Sequence, residues 1–456
     1  MNTSVIPKKV FIITTGCQMN EYDSELIRSI LAKAGFTLIE DELAADIIML
    51  NTCAIRENAH RKVYGRIHEI RHQRRSAAGG RFSPAGENLP LIGILGCMAA
   101  NLRKDLLEDR NLNIDFVVGP DSYKRLPELI RQLTDELGQK AYDVTLSEFE
   151  TYADVFPHRK KGVNAWIAVM RGCNNFCSFC VVPYTRGRER SRLVDNIVAE
   201  VRQLAAEGFK QVTLLGQNVN SYFADGSDFA DLLTAVSQVE GIERIRFTSP
   251  HPKDFPERLL QVVAENPKVC KHIHLPLQAG NNRILEMMNR TYTQEEFIDL
   301  VHKMRTLIPH LTLTTDIIVG FPTETDAEFA DTLKVMETIE FDAAFIFKYS
   351  ERKGTIAQRQ YPDDVPEAKK TERIVQIQEM QKQISLMKNQ AQIGEVQEIL
   401  IEGEKTAESP QTCQGRNDGN KLVICANSQV QTGKIVQVKI TAASPHALKG
   451  EILSSF

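Results

Sequence analysis

Three apolar, β-branched runs in the first third of the chain each end on a cysteine, and that placement constrains the fold more than any other feature. Val10-Phe-Ile-Ile-Thr14 leads to Thr15-Gly-Cys17, Asp46-Ile-Ile-Met-Leu50 to Asn51-Thr-Cys53, and Leu91-Ile-Gly-Ile-Leu95 to Gly96-Cys97. Helical patterns lie between them, over residues 21–34, stopping at Gly35, and from 54 to about 73. Phe116-Val-Val118 is a fourth strand-like run. Buried strands alternating with helices predict an open parallel sheet. The carboxyl ends of its strands share one edge, where such sheets bind ligands. Cysteines distant in sequence are therefore expected to meet. A single cysteine there suits ordinary packing as a small apolar residue. Three at equivalent strand ends, each followed by a helix, point to ligands.

A second group is tighter. Cys173-Asn-Asn-Phe-Cys177-Ser-Phe-Cys180 is a C-x3-C-x2-C loop after the strand-like Ala165-Trp-Ile-Ala-Val-Met170, with Gly172 permitting the turn. Structural zinc takes four ligands, usually from paired C-x2-C units, and no fourth cysteine or histidine follows closely after Cys180. Cluster iron is normally held by four thiolates. Three thiolates would hold a [4Fe–4S] cube by three corners and leave one iron open to a reacting molecule. Two three-cysteine groups thus predict two such sites. The nine cysteines come with no signal-peptide core at the start, so a reducing, cytoplasmic setting and metal or redox chemistry are expected.

Residues 147–163 are charged and irregular and read as an inter-domain linker. Strand–helix alternation then resumes with Val212-Thr-Leu-Leu215, Ile245-Arg-Phe247, His272-Ile-His-Leu275, Thr312-Leu-Thr-Thr315 with Ile317-Ile-Val319, and Phe345-Ile-Phe347. A full eight-unit barrel takes about 250 residues, so a partial (β/α)6 barrel is expected, with its chemistry at the strands' carboxyl ends. One long polar helix from 367 to about 391 should pack a face on it. From Gly394 short β-like runs at 396–401, 422–424 and 434–440, punctuated by Gly419 and Gly433, predict a small β-barrel. The chain reads as α/β in three domains: an open parallel α/β domain over 1–146, the partial barrel over 159–392, and the small β-barrel over 393–456. Its 456 residues suffice for three cores. The net charge of −4 gives no global pull toward nucleic acid, so polyanion binding must come from local patches. No apolar run approaches the ~18 residues of a membrane-spanning helix. Arg71-His-Gln-Arg-Arg75 and the small-residue stretch after it read either as a basic loop reaching for phosphate or as a solvated one.

The C-x3-C-x2-C loop, placed in the first βα connection, resembles the signature of the radical S-adenosylmethionine superfamily. The resemblance implies that the open iron is chelated by the amino and carboxylate groups of S-adenosylmethionine. It also implies that one-electron cleavage gives methionine and a 5′-deoxyadenosyl radical. Thr15-Gly-Cys17, Asn51-Thr-Cys53 and Leu95-Gly-Cys97 resemble the amino-terminal domain of the methylthiotransferases, a branch of that superfamily. Gly415-Arg-Asn-Asp-Gly-Asn420 and Gly433-Lys-Ile-Val-Gln-Val438 resemble the TRAM domain, an RNA-binding β-barrel. The likeness covers nearly the whole chain, in order. It implies a radical cluster on Cys173, Cys177 and Cys180 and an auxiliary [4Fe–4S] cluster on Cys17, Cys53 and Cys97 whose open iron handles the inserted sulfur. S-adenosylmethionine would serve twice, as methyl donor and as radical source. Asn51-Thr-Cys-Ala-Ile-Arg-Glu-Asn-Ala59 and Val182-Pro-Tyr-Thr-Arg-Gly-Arg-Glu-Arg-Ser-Arg192 resemble the branch acting on C2 of N6-(dimethylallyl)adenosine at position 37 of tRNA. The branches that modify threonylcarbamoyladenosine in tRNA or an aspartate of a ribosomal protein differ in both strings. The one departure is a Gly/Ser/Arg insertion near 74–88. The non-catalytic alternative, an iron–sulfur redox sensor that binds RNA, has no need of an open-iron barrel. Expected partners are a tRNA anticodon stem-loop presenting a splayed base and an electron donor such as a flavodoxin or ferredoxin; the expected form is a monomer.

Arg186, Arg188, Arg190 and Arg192 alternate just after the cluster loop, and in an extended segment alternate residues share a face. Four guanidiniums there would suit phosphate or carboxylate recognition, so they are candidate substrate contacts. The competing reading is a solvated charge run paired with Glu189. Candidate S-adenosylmethionine contacts at strand ends are Gln217, Asn218, Ser249 beside His251, Gln278, and Asp316 leading into Gly320. His272 and His274 read as satisfied barrel-interior residues, and Cys270, Cys413 and Cys425 as packing residues. Lys421, Lys434 and Lys439 are candidate tRNA phosphate contacts.

Overall fold

A computed structural model describes residues 8–54, 57–77, 90–135, 139–403, 412–426 and 430–455. The chain divides into two compact units. The first comprises Met1–Lys160, Arg171–Arg190 and Arg352–Ile356; the second comprises Lys161–Met170, Ser191–Glu351 and Ala357–Phe456. The C-x3-C-x2-C loop thus belongs with the amino-terminal unit, and the carboxyl-terminal barrel belongs with the partial barrel. Sequence patterning could not assign either, because it registers elements and not their neighbours.

In the first unit the described residues form a six-stranded sheet: β1 (Lys9–Thr15), β2 (Thr37–Leu38), β3 (Ile47–Thr52), β4 (Leu91–Gly96), β5 (Phe116–Val118) and β6 (Ala141–Asp143). The spatial order is β2-β1-β3-β4-β5-β6, and the pairings are parallel. Every residue of β3 is buried, as a central parallel strand covered on both faces requires. The apolar core gathers Ile48, Leu50, Ile92, Ile94 and Val117 with Val63, Ile67 and Ile70 of the helix Glu57–Ala77. The short edge strands β2 and β6 carry too little apolar signal to be read from sequence. Arg71-His-Gln-Arg-Arg75 continues this helix, which corrects the loop reading; residues 78–89 lie outside the described residues.

The expected linker carries the boundary between the two units, after Lys160, and most of it packs as a strap. Fully buried Tyr152 donates its hydroxyl to the Pro120 carbonyl at 2.9 Å and accepts from the Tyr123 amide at 3.0 Å. Lys124 pairs with Glu150 and Asp154, and Arg159 with Glu25. These partners all belong to the first unit, so the strap is fastened to it as far as Arg159.

The second unit contains six parallel strands among the described residues: β7 (Asn164–Ala168), β8 (Gln211–Leu215), β9 (Arg244–Phe247), β10 (His272–His274), β11 (Thr312–Val319) and β12 (Ala343–Lys348). They pair as β7-β8-β9 and β10-β11-β12, with a parallel bridge from Ile245 to Val269 joining the two triplets. This is the expected partial (β/α)6 barrel. The helix Glu367–Gln390 packs through a polar stripe. Buried Arg373 meets Glu324, Gln381 donates to the Phe341 carbonyl, and Ser385 donates to the Asp342 carbonyl. Hydrogen bonds stand where an apolar stripe would otherwise lie, offsetting the cost of burying these polar groups.

The last module is a closed barrel of β13 (Val396–Gly403), β14 (Thr412–Arg416), β15 (Leu422–Ala426), β16 (Ile435–Ala443) and β17 (Leu448–Ser455), in the order β13-β14-β15-β17-β16. Closure leaves no open edge. Its core includes Cys413 and Cys425, opposite one another on β14 and β15. The β14–β15 turn plugs into the amino-terminal end of the partial barrel. Arg244 donates to the Arg416 and Glu398 carbonyls, Arg246 to the Asn417 and Asp418 carbonyls, and the Lys271 amide to Asp418 at 2.9 Å. The Gly415–Asn420 string therefore serves internal docking.

Candidate metal centres and cofactor site

The register of the first sheet brings the three spread cysteines to one edge. Thr15 pairs with Thr52, and Thr52 with Gly96. Cys53 and Cys97 follow their strands at one level, and Cys17 follows two residues after β1. Cys17 and Cys53 flank the point where the strand order reverses, the crevice that doubly wound sheets use for ligands. Asn20, one turn into the helix Gln18–Lys33, ties the edge together. It accepts from Cys17 Sγ at 3.3 Å and donates to Asn51 at 3.2 Å and to the Thr52 carbonyl at 3.3 Å. Gly96 sits at φ +84°, and a Cβ there would lie 2.4 Å from Asn51 Oδ1, so the close approach of β3 and β4 needs glycine.

Cys17 and Cys97 feel different fields. Cys17 is lowered to about 6, first by a hydrogen bond with Cys53 and also by the Arg186 charge, against desolvation. Burial raises Cys97, with Arg186 opposing. Arg186 Nε donates to Cys97 Sγ at 3.1 Å.

The second group lies in the same unit. Its loop is pinned by the Cys173 amide to the Gly187 carbonyl at 3.1 Å and the Cys180 amide to the Cys177 carbonyl at 3.0 Å. The amides of Asn175 and Val182 donate to the sulfurs of Cys173 and Cys180, each at 3.5 Å. Gly172, at φ +82°, brings the Arg188 carbonyl within 1.9 Å of where a Cβ would sit. Glu189 accepts from the Asn174 amide and braces the loop tip. Val181, just after Cys180, packs with Ala54 and Cys97, so the two cysteine groups are neighbours.

All nine cysteines are outside disulfides. Among the described residues, no three His, Cys, Asp or Glu side chains gather tightly enough to ligate one metal ion. A cube is held at separate corners and needs a wider triangle of sulfurs. Soft thiol donors, amides aimed at sulfur and a guanidinium on Cys97 fit iron–sulfur ligation.

The arginine expectation is corrected. Arg186 ends the short helix Val182–Thr185 and Gly187 turns at φ +73°, so the segment is not extended and the four side chains share no face. Three guanidiniums are buried on internal carboxylates: Arg186 on Asp23 at 2.7 Å, Arg190 on Asp121 at 3.0 Å, and Arg192 on Glu200 at 2.7 Å. Arg188 is the exposed member, stacked 4.4 Å from the Phe176 ring centre.

In the second unit, Gln217 and Asn218 follow β8, and Ser249 and His251 follow β9, at one end of the partial barrel. Gln217 Oε1, Asn218 Oδ1 and His251 Nε2 are buried without hydrogen-bond partners. Ser249 at φ +60° and Gln278 at φ +70° hold left-handed conformations, which cluster at functional sites. Orphaned polar atoms beside strained backbone fit a polar small molecule such as S-adenosylmethionine. Asp316 lies within β11 rather than at its end, and its carboxylate meets His274 Nε2 at 3.2 Å. His272 and His274 both hydrogen-bond Thr314. His251 is pushed down to about 2 by burial and by Arg290 and Lys253; its Nδ1 accepts from the Lys253 amide, so Nε2 carries the proton. Lys421 is committed to Asp342 at 2.8 Å, which corrects its reading as a tRNA contact; Lys434 and Lys439 are exposed. Among the described residues no helix is long and apolar enough to cross a membrane.

The chain matches three families: the Uncharacterized protein family UPF0004 over residues 9–119, the Radical SAM superfamily over 167–336, and the TRAM domain over 390–453. A tRNA-2-methylthio-N(6)-dimethylallyladenosine synthase of Phocaeicola vulgatus is 45% identical over 453 residues, covering 97% of this chain and 96% of that protein. Its counterpart in Chloroherpeton thalassium is 44% identical, with 98% and 96% covered. The solved structure of the radical S-adenosylmethionine methyltransferase TsrM from Kitasatospora setae, with cobalamin and a [4Fe-4S] cluster, has a TM-score of 0.57 at 14% identity, covering 77% of this chain and 74% of that one, and carries a similar fold. At such identity over nearly its full length, the chain belongs to the tRNA-2-methylthio-N(6)-dimethylallyladenosine synthase family.

Proposed function

We propose that this protein converts N6-(dimethylallyl)adenosine at position 37 of tRNA to its 2-methylthio derivative, using S-adenosylmethionine and iron–sulfur clusters. The observation that carries the reading is the adjacency of two three-cysteine groups within one compact unit of a chain whose near-full-length relatives bear that name. Cys173, Cys177 and Cys180 would hold one [4Fe–4S] cluster, and Cys17, Cys53 and Cys97 a second. When bound, such clusters supply the electron for reductive cleavage of S-adenosylmethionine and an iron site for the sulfur.

The chain's own residues bind, orient and shield. Amides at Asn175 and Val182 stabilise thiolates on the loop. Asn20 ties the Cys17 and Cys53 strand ends together. Gln217, Asn218, Ser249 and Gln278 would grip S-adenosylmethionine through carbonyls, amides and the Ser249 hydroxyl. Of the four arginines the exposed Arg188 would meet substrate; Lys434 and Lys439 would meet tRNA phosphates. The functional division follows 1–146, 159–392 and 393–456, with a flavodoxin- or ferredoxin-type donor and a monomeric, cytoplasmic enzyme.

The test is anaerobic incubation of reconstituted enzyme with S-adenosylmethionine, dithionite and tRNA bearing dimethylallyladenosine, read by nucleoside mass. A methylthio adduct on that nucleoside supports the reading. Formation of 5′-deoxyadenosine without the adduct removes the substrate assignment.

A further inference from the structure

Asp23 is fully buried on the helix that follows Cys17, and it bridges two buried arginines. Its Oδ1 accepts from Arg171 Nη2 and its Oδ2 from Arg186 Nη2, both at 2.7 Å, and the Tyr123 hydroxyl approaches Oδ2 at 3.4 Å. Arg171 stands two residues before Cys173. Arg186 stands six after Cys180, yet its Nε reaches Cys97 Sγ at 3.1 Å. Its Nη1 is buried with no hydrogen-bond partner. A guanidinium with one edge fastened by a carboxylate, one N–H on a thiol and one donor unused is held beside the three strand-end cysteines, not spent on folding alone. Burying a charge this deeply is costly unless it is paired, and here two carboxylates, Asp23 and Asp121, face three cations, Arg171, Arg186 and Arg190. Thiolates at Cys17 and Cys97 would supply the missing negative charge.

We propose that Arg186 is a positioning residue for the cluster held by Cys17, Cys53 and Cys97. Its Nε–H orients the Cys97 sulfur, and its charge, aimed by Asp23, offsets the negative charge of the assembled thiolates. The sequence segment after one cysteine loop thereby serves the other cysteine group. Hydrogen bonds to sulfur and nearby charge set cluster potentials and retention, so loss of Arg186 lowers both. The proposal rests on the reading of Cys17, Cys53 and Cys97 as ligands.

The experiment uses the full chain with Cys173, Cys177 and Cys180 replaced by Ala, so that one cluster is observed. Reconstituted protein is assayed for iron and sulfide per chain, chelator resistance, the EPR spectrum of the reduced cluster and its midpoint potential. Arg186→Met is expected to weaken iron retention by about 10–100-fold, to alter the EPR spectrum and to move the potential to more negative values. Arg186→Lys, which keeps the charge, is expected to hold the potential nearer to the parent's. If Arg186→Met does not fold, as judged by thermal unfolding of the cluster-free protein, Arg186→Gln carries the test. It keeps a donor but no charge, and a parent-like potential there overturns the proposal. Parent-like retention, spectrum and potential in Arg186→Met overturn it too, while loss of the cluster in Cys97→Ala leaves the ligand reading standing. An intact cluster in Cys97→Ala overturns both.

Discussion

Gly172→Ala is the sharpest probe of the C-x3-C-x2-C loop. The residue occupies φ +82°, where an added Cβ costs about 1–2 kcal/mol from conformation alone. The same Cβ would sit 1.9 Å from the Arg188 carbonyl oxygen and 2.7 Å from that of Gly187, whereas real Cβ contacts essentially never fall under 3.0 Å. Both obstacles are backbone, so no side chain can rotate away. The 187–188 turn must retreat, and it carries the acceptor for the Cys173 amide. Losing that hydrogen bond adds about 1 kcal/mol. The expected sum is about 2–3 kcal/mol, concentrated where Cys173 is held. Anaerobically reconstituted Gly172→Ala should therefore hold markedly less iron and sulfide than the parent chain. It should form little 5′-deoxyadenosine, while far-UV circular dichroism stays near parental. Full iron content with parental 5′-deoxyadenosine formation would refute the argument that this turn sets the loop.

Further expectations follow from single contacts. Asp23→Ala strands two buried guanidiniums and should destabilise the cluster-free protein by about 3–5 kcal/mol; a urea midpoint within error of the parent's would contradict this. His251 is held neutral with its value near 2, below the unfolded 6.5, so its contribution is intact above pH 6.5 and lost as pH falls. At pH 5 the loss should reach about 2 kcal/mol. His251→Gln should flatten the difference in urea midpoint between pH 7.5 and 5, and an unchanged difference would count against a buried neutral imidazole. Lys434→Ala with Lys439→Ala should weaken tRNA binding and make log K against log salt shallower by about 0.7–0.9 per lysine. An unaltered slope would move the RNA surface elsewhere. Lys421→Ala should leave the slope alone and lower thermal stability, because its ammonium ties Asp342 to Asn389 inside the second unit.

The chain's local chemistry was legible without coordinates wherever it is periodic or closely spaced. The strand-end cysteines, the tight cysteine loop, six βα units and a terminal β-barrel all follow from patterns that the backbone reads over a few residues. Parallel register then turned Thr15, Thr52 and Gly96 into one row, which is why three distant cysteines share one edge. What tertiary structure alone decided is who partners whom. Four alternating arginines looked like one solvent-facing comb, but the turn at Gly187 and the carboxylates of Asp23, Asp121 and Glu200 drew three of them inward. A polar segment resembling a linker became a strap because Tyr152 found buried acceptors and donors from Pro120 and Tyr123. The β14–β15 turn, legible as a module signature, was taken up by Arg244 and Arg246. Charged and aromatic side chains reach far and pair with whatever the fold brings near. Their roles therefore depend on long-range neighbours, whereas strands and cysteine spacing depend on the chain beside them.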